Sequence, residues 1–213
     1  MALSDKDEPL LDWQLKIGER AVQTQSCLVC HNKPLPSVGG TTIPDMAALL
    51  RDNPQHHGPI REGACTVCHQ PHAGPNFRLL TDFYPPKFYA PFDIGQYALC
   101  FRCHIPDLVL KQQGVGVTGF RRGVENLHWL HVTRDRNGRT CRACHEVHAS
   151  KHPFHIRDAV PFGSKGWMLE INYAKTPTGG SCSPGCHVPR TYDWFAPAVL
   201  TPTATPAAPE AHQ

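Results

Sequence analysis

Residues 63–74 read Gly-Ala-Cys-Thr-Val-Cys-His-Gln-Pro-His-Ala-Gly, and the decisive run inside them is Cys65-Thr66-Val67-Cys68-His69. Two cysteines separated by two residues and followed at once by histidine are the attachment signature of c-type haem. The thiols add across the porphyrin vinyl groups as thioethers, and the adjacent imidazole becomes the proximal ligand of the iron. The run recurs as Cys27-Leu28-Val29-Cys30-His31, Cys100-Phe101-Arg102-Cys103-His104 and Cys141-Arg142-Ala143-Cys144-His145. A fifth, Cys182-Ser183-Pro184-Gly185-Cys186-His187, carries one extra residue, and Ser-Pro-Gly is turn chemistry able to supply the bulge. With histidine at 14 of 213 positions, placement after all five pairs by chance has a probability of roughly one in a million. The sequence therefore predicts five covalently bound haem c groups with their iron.

Zinc is the competing reading of paired cysteines. It takes two C-x-x-C knuckles per metal, or two cysteines and two histidines, and explains neither the odd number of pairs nor the histidine after each. A disulfide framework suits an even cysteine count but leaves the histidines unexplained. All ten cysteines are consumed by five haems, and the thioether links then restrict the unfolded chain much as disulfides do.

Five haems in 213 residues leave about 43 residues each, too few to build a polypeptide core around every macrocycle. With 21 prolines and 17 glycines, the expected fold is mostly irregular coil with short α-helices wrapped around a closely packed chain of five haems, with little β. The formal charge is +3. Ten propionates and five ferric centres take it to roughly −2, and full reduction to roughly −7. Nothing supports nucleic-acid binding. No apolar run is long enough for a transmembrane helix. Covalent haem attachment takes place outside the cytoplasmic membrane, so an exported, periplasmic or extracellular protein is expected. Residues 1–10 lack the basic and apolar regions of a signal peptide.

Three stretches are expected along the chain. Residues 1–25 form an N-terminal segment whose apolar spacing over 9–25 suggests a short helix leading into the first motif. Residues 26–196 form the pentahaem domain, with a turn of helix near Asp45 to Arg51 and each attachment motif on a single helical turn. Residues 197–213, rich in Pro, Ala and Thr, form an extended tail. Two stretches repeat: His57 leads into the second motif with His72 behind it, and His131 leads into the fourth with His148 behind it.

Nine histidines lie outside the motifs, enough to give every iron a second imidazole; the only methionines are Met1, Met46 and Met168. In Cys-His-x-x-His the two imidazoles cannot lie on opposite faces of one haem, so His72 and His148, the best candidates for second ligands, reach a neighbouring iron or do nothing. His57 follows as a candidate, then His128 and His131, offset for two different haems, and His155. These are six candidates for at most five positions. His56, His152 and His212 are not expected to ligate. The interleaved aromatics, among them Phe77, Tyr84, Phe88, Tyr97 and Trp129, are read as packing that excludes water.

On GACTVCHQPHAG (63–74), NLHWLHV (126–132), RTCRACHEVHAS (139–150) and GGSCSPGCH (179–187), the chain resembles multihaem c-type cytochromes of the doubled C-x-x-C-H kind found in metal-reducing and sulfate-reducing bacteria. The resemblance implies low-potential bis-histidine haems in a close chain, electron transfer, and other redox proteins as partners. Some relatives polymerise into haem filaments with a histidine shared between subunits, so self-association stays open beside a discrete carrier. The leading expectation is an electron carrier and not an enzyme. The alternative, a nitrite- or sulfite-type reductase, needs one open iron; pentahaem nitrite reductases typically use C-x-x-C-Lys for it, whereas all five motifs here end in histidine.

Overall fold

In the computed structural model, residues 19–37, 42–163, 167–185 and 187–197 are described. Cys186, His212, residues 1–18 of the N-terminal segment and the tail beyond residue 197 lie outside them. The helices are short: α1 (Glu19–Cys30), α2 (Met46–Asp52), α3 (Gly58–Arg61), α4 (Ala98–Phe101), α5 (Asp107–Leu110), α6 (Leu127–Val132) and α7 (Cys141–Cys144). The helix expected to lead into the first motif runs through it instead, since α1 ends on Cys30. The turn expected near Asp45 is α2, capped where the Ala48 amide donates to the Asp45 carboxylate at 2.8 Å. No described helix is long and apolar enough to cross a membrane.

The attachment motifs do not share one local structure. The fourth is α7, the second opens on a 3-10 turn, Cys65–Val67, and the third begins in the last turn of α4. The fifth departs furthest: Cys182 is the last residue of a β-strand, Gly179–Cys182, so the expectation of a helical turn at every motif does not hold there. The residues between Cys182 and His187 are Ser-Pro-Gly and a cysteine, and proline and glycine break helices.

The expectation of little β is corrected. The fold is mixed, built from few short helices and many small antiparallel pairings. Some are local, such as Ala159–Phe162 with Trp167–Glu170, and the three-stranded sheet of Ala174–Thr176, Gly179–Cys182 and Arg190–Asp193. Others join distant segments: Gln55–His56 pairs with Ala149–Ser150, and Tyr89–Ala90 with Gly138–Arg139. In a chain with so little core, these ladders satisfy backbone groups and hold loops in place. Gly138 is needed there, because a Cβ would come within 2.3 Å of the Val132 carbonyl oxygen.

Among the described residues, buried apolar side chains gather in two small clusters. Leu80, Tyr84, Tyr97, Val109 and Val132 form one, with Cys100 and Cys141 packed against it; Leu50 and Ala149 centre the other. The Tyr84 hydroxyl accepts a hydrogen bond from the Arg142 amide at 2.8 Å. Tyr84→Phe leaves that part-buried amide unpaired, and we expect a loss of about 1–2 kcal/mol, visible as a lower guanidinium midpoint.

Candidate haem sites

Each proximal histidine of the second and fourth motifs is held by the same local device. His69 points Nδ1 at the Arg78 carbonyl (3.1 Å), and His145 points Nδ1 at the Phe154 carbonyl (2.8 Å). The carbonyls are presented by paired left-handed residues, Arg78 and Leu79 in one loop and Phe154 and His155 in the other. Backbone bonds repeat as well: Gln70 N to Leu79 O and Glu146 N to His155 O are both 2.7 Å, and Thr81 N to Cys68 O (2.9 Å) matches Arg157 N to Cys144 O (3.0 Å). Every partner recurs 76 positions on, as 69 to 145 and 78 to 154 show (145 − 69 = 154 − 78 = 76). The sequence repeat is therefore a structural repeat that extends beyond the motif into the loop behind it. An Nδ1–H donated to a carbonyl fixes the tautomer and leaves the Nε2 lone pair free for a metal.

Three proximal imidazoles lie beside a second imidazole in near-parallel orientation. His104 is 6.0 Å from His57 between ring centroids, with planes 11° apart. His69 is 6.0 Å from His148 at 15°, and His145 is 6.3 Å from His128 at 19°. The small ladder Gln55–His56/Ala149–Ser150 explains two of these at once. It continues into a bond from His57 N to His148 O at 3.1 Å, so one pairing places the second imidazole of two sites.

The third is set by Asn126, whose side chain is fully enclosed. Its Nδ2 donates to the carbonyls of Leu108 (3.0 Å) and Lys111 (2.8 Å). Its Oδ1 accepts from the amides of His128 (2.9 Å) and Trp129 (3.3 Å), capping α6. That helix presents His128 and His131. His131 Nδ1 is tied to Leu127 O at 2.6 Å, and the ring lies within electrostatic reach of His187.

The remaining candidates separate. His155 turns its Nδ1 to Gln55 O (3.1 Å) and meets His57 edge-on at 5.5 Å. His72 is exposed, in a left-handed backbone conformation. Neither His31 nor His72 has a parallel imidazole partner among the described residues. His56 and His152 engage Nε2, with Leu50 O (2.8 Å) and the Asp158 carboxylate (2.9 Å), the ring nitrogen that His69 and His145 leave free.

The electrostatics favour the neutral imidazole at one or both members of each pair, at His57, His69, His128 and His145. Burial, then the neighbouring histidines, pushes His57 down to about 4, and burial pushes His128 down to about 3. His69, His131, His145 and His155 are lowered too, by burial first. Burial opposes ionisation of Glu146, but the His148 ring and the Arg157 guanidinium (2.6 Å) outweigh it and bring the carboxyl down to about 2. Among the thiols, burial pushes Cys65 and Cys144 up to about 11, whereas its neighbour Cys100 holds Cys141 below the usual thiol range.

These features fit haem and not zinc. Two metal–nitrogen bonds of about 2.0 Å, each extended by about 1.1 Å to the ring centre, would put two imidazoles that hold one iron between them about 6.2 Å apart. Zinc needs four protein donors, and thiolates where cysteine is one of them; among the described residues no group of three or more His, Cys, Asp or Glu converges to hold a metal. Arg142 Nη1 and Arg157 Nε are buried without a protein partner, which suits a carboxylate such as a haem propionate.

Residues 57–107 match the family model described as the doubled CXXCH motif. Over this stretch the chain is similar to the doubled CXXCH family. That similarity supports a multihaem c-type cytochrome binding haem iron covalently, and electron transfer as its class of function. No curated protein and no solved structure matched the chain. The matched stretch begins at His57 and takes in the second and third motifs with the left-handed loop that anchors His69, so the doubled CXXCH unit includes both a candidate axial ligand and the tether of a proximal one. Sequence reasoning missed Asn126 and the carbonyls of Arg78 and Phe154. The first had a legible signal, an Asn directly before an apolar helical run, which is a helix-cap position; backbone carbonyls leave none.

Proposed function

We propose that the chain carries electrons through five covalent haems, one for each of His31, His69, His104, His145 and His187, most of them with two histidine ligands. The observation that carries this reading is the set of three near-parallel imidazole pairs at 6.0–6.3 Å. His57 is the second ligand opposite His104, His148 opposite His69 and His128 opposite His145. His131 serves the iron of His187, and His72 and His155 are left without an assigned iron. An iron with two protein ligands exchanges electrons and has no position for substrate. The haem supplies the redox couple; the chain sets ligation, spacing and dielectric, which tune its potential. The fifth haem is attached through Cys182 and Cys186 with the extra residue bulged. Covalent haem attachment takes place outside the cytoplasmic membrane, which supports a periplasmic or extracellular location with other redox proteins as partners.

Intact mass and pyridine haemochrome of the purified protein test the count. Five haems per chain are expected. Four haems with two titratable thiols at Cys182 and Cys186 would remove the fifth site. Turnover of nitrite or hydroxylamine with a reduced viologen donor is expected to be absent; its presence would favour the reductase reading.

A further inference from the structure

We infer that the haems form one unbranched file in sequence order, built from two copies of one haem pair, with the haems of His31 and His187 at its ends. This rests on the five-haem reading above and adds the order. An attachment sulfur sits on the porphyrin edge, so attachment sulfurs in contact bring two porphyrin edges into contact.

Helix α1, which ends in motif one, packs against the 3-10 turn Cys65–Val67 of motif two, and the first cysteines, Cys27 and Cys65, are neighbours there. The first cysteines of motifs three and four, Cys100 and Cys141, pack on the same cluster as Tyr84 and Tyr97 and are neighbours in turn. The proximal imidazoles follow the same pairing, with His31 within electrostatic reach of His69 and His104 within reach of His145. The two pairs thus repeat each other. Between them the contact changes to the second cysteines, Cys68 and Cys103. There Arg102, inside the third motif, donates to Val67 O (3.2 Å), inside the second, and to Thr81 Oγ1 (2.9 Å). At the far end Cys144 lies within reach of Cys182. The loop of the fifth motif is tied back by Ser183 N to Ile171 O (3.0 Å) and Ile171 N to Asp158 O (2.8 Å). These contacts between motifs all join motifs consecutive in sequence. The bond from His57 N to His148 O then braces the two pairs across their junction.

Proton NMR of the fully reduced, diamagnetic holoprotein with isotope-labelled cysteine reads this order. Nuclear Overhauser contacts between haems are expected for 1–2, 2–3, 3–4 and 4–5, with thioether protons of Cys27 seeing those of Cys65 and Cys100 those of Cys141. A second sample, Cys182→Ala with Cys186→Ala, removes an end haem and is expected to lose one inter-haem contact set while the other three persist. A contact between non-consecutive haems, or loss of two contact sets in the second sample, would overturn the order. Intact mass on the first sample separates the failures: fewer than five haems sinks the parent reading, whereas five haems with another contact map sinks the file alone.

Discussion

His57→Ala is expected to convert one haem in five to a high-spin ferric state, leaving four unchanged. The reason is geometric. His57 faces His104 at 6.0 Å with nearly parallel planes, and no other described imidazole takes that place: His155 meets His57 edge-on, not His104 face-to-face. The iron of His104 then keeps a single protein ligand. The high-spin component should be countable by electron paramagnetic resonance. His57→Met restores a sixth ligand and low spin, and it raises the potential of that one haem by on the order of 0.1 V, since thioether ligation favours ferrous iron. The adjacent histidine is the control. His56→Ala should leave spin state and potentials unchanged, because His56 Nε2 is engaged with Leu50 O. A high-spin signal in His56→Ala, or none in His57→Ala, would exchange the roles of the two residues.

The second large effect is expected from a residue with no metal chemistry of its own. Asn126→Ala removes four hydrogen bonds at a fully enclosed position, leaving the Leu108 and Lys111 carbonyls and the first amides of α6 without their partner. Loss of a helix cap costs about 1 kcal/mol, and each buried polar group left unpaired about 1–3 kcal/mol. A total of about 3–5 kcal/mol is expected, lowering the melting temperature on the order of 10 °C. Because α6 carries both His128 and His131, the same change should loosen the second ligand of two haems. Asn126→Asp keeps the cap acceptor and loses the two donors, so it should lie between wild type and Asn126→Ala in both melting temperature and low-spin content. A melting loss with every haem still low-spin would separate the cap from ligand placement.

The attachment motifs were legible because their chemistry is local: two thiols and an imidazole must meet one porphyrin, and five consecutive residues suffice. Imidazole pairing was legible only as a set of candidate histidines. His72 and His148 occupy the same place in the same Cys-His-x-x-His pattern, yet His148 faces His69 while His72 is exposed. The difference comes from the ladder that brings Ala149–Ser150 to Gln55–His56, nearly a hundred residues away, and nothing in the local pattern encodes it. The β content was missed for a related reason. Strands of two residues are too short to show a period of two, and the Gly179-Gly180 run reads as a turn until its neighbours Ala174–Thr176 and Arg190–Asp193 are known. The motif repeat was visible in sequence. Its continuation into the left-handed loops was not, because Arg78-Leu79 and Phe154-His155 share backbone conformation and no side-chain chemistry.

Carbon monoxide titration of the dithionite-reduced protein, followed in the Soret band, tests bis-histidine closure most directly. Four irons have a protein imidazole assigned on each face, so at most one equivalent of carbon monoxide per chain is expected to bind, at the haem of His31. Binding of two or more equivalents would contradict the paired imidazoles as ligands.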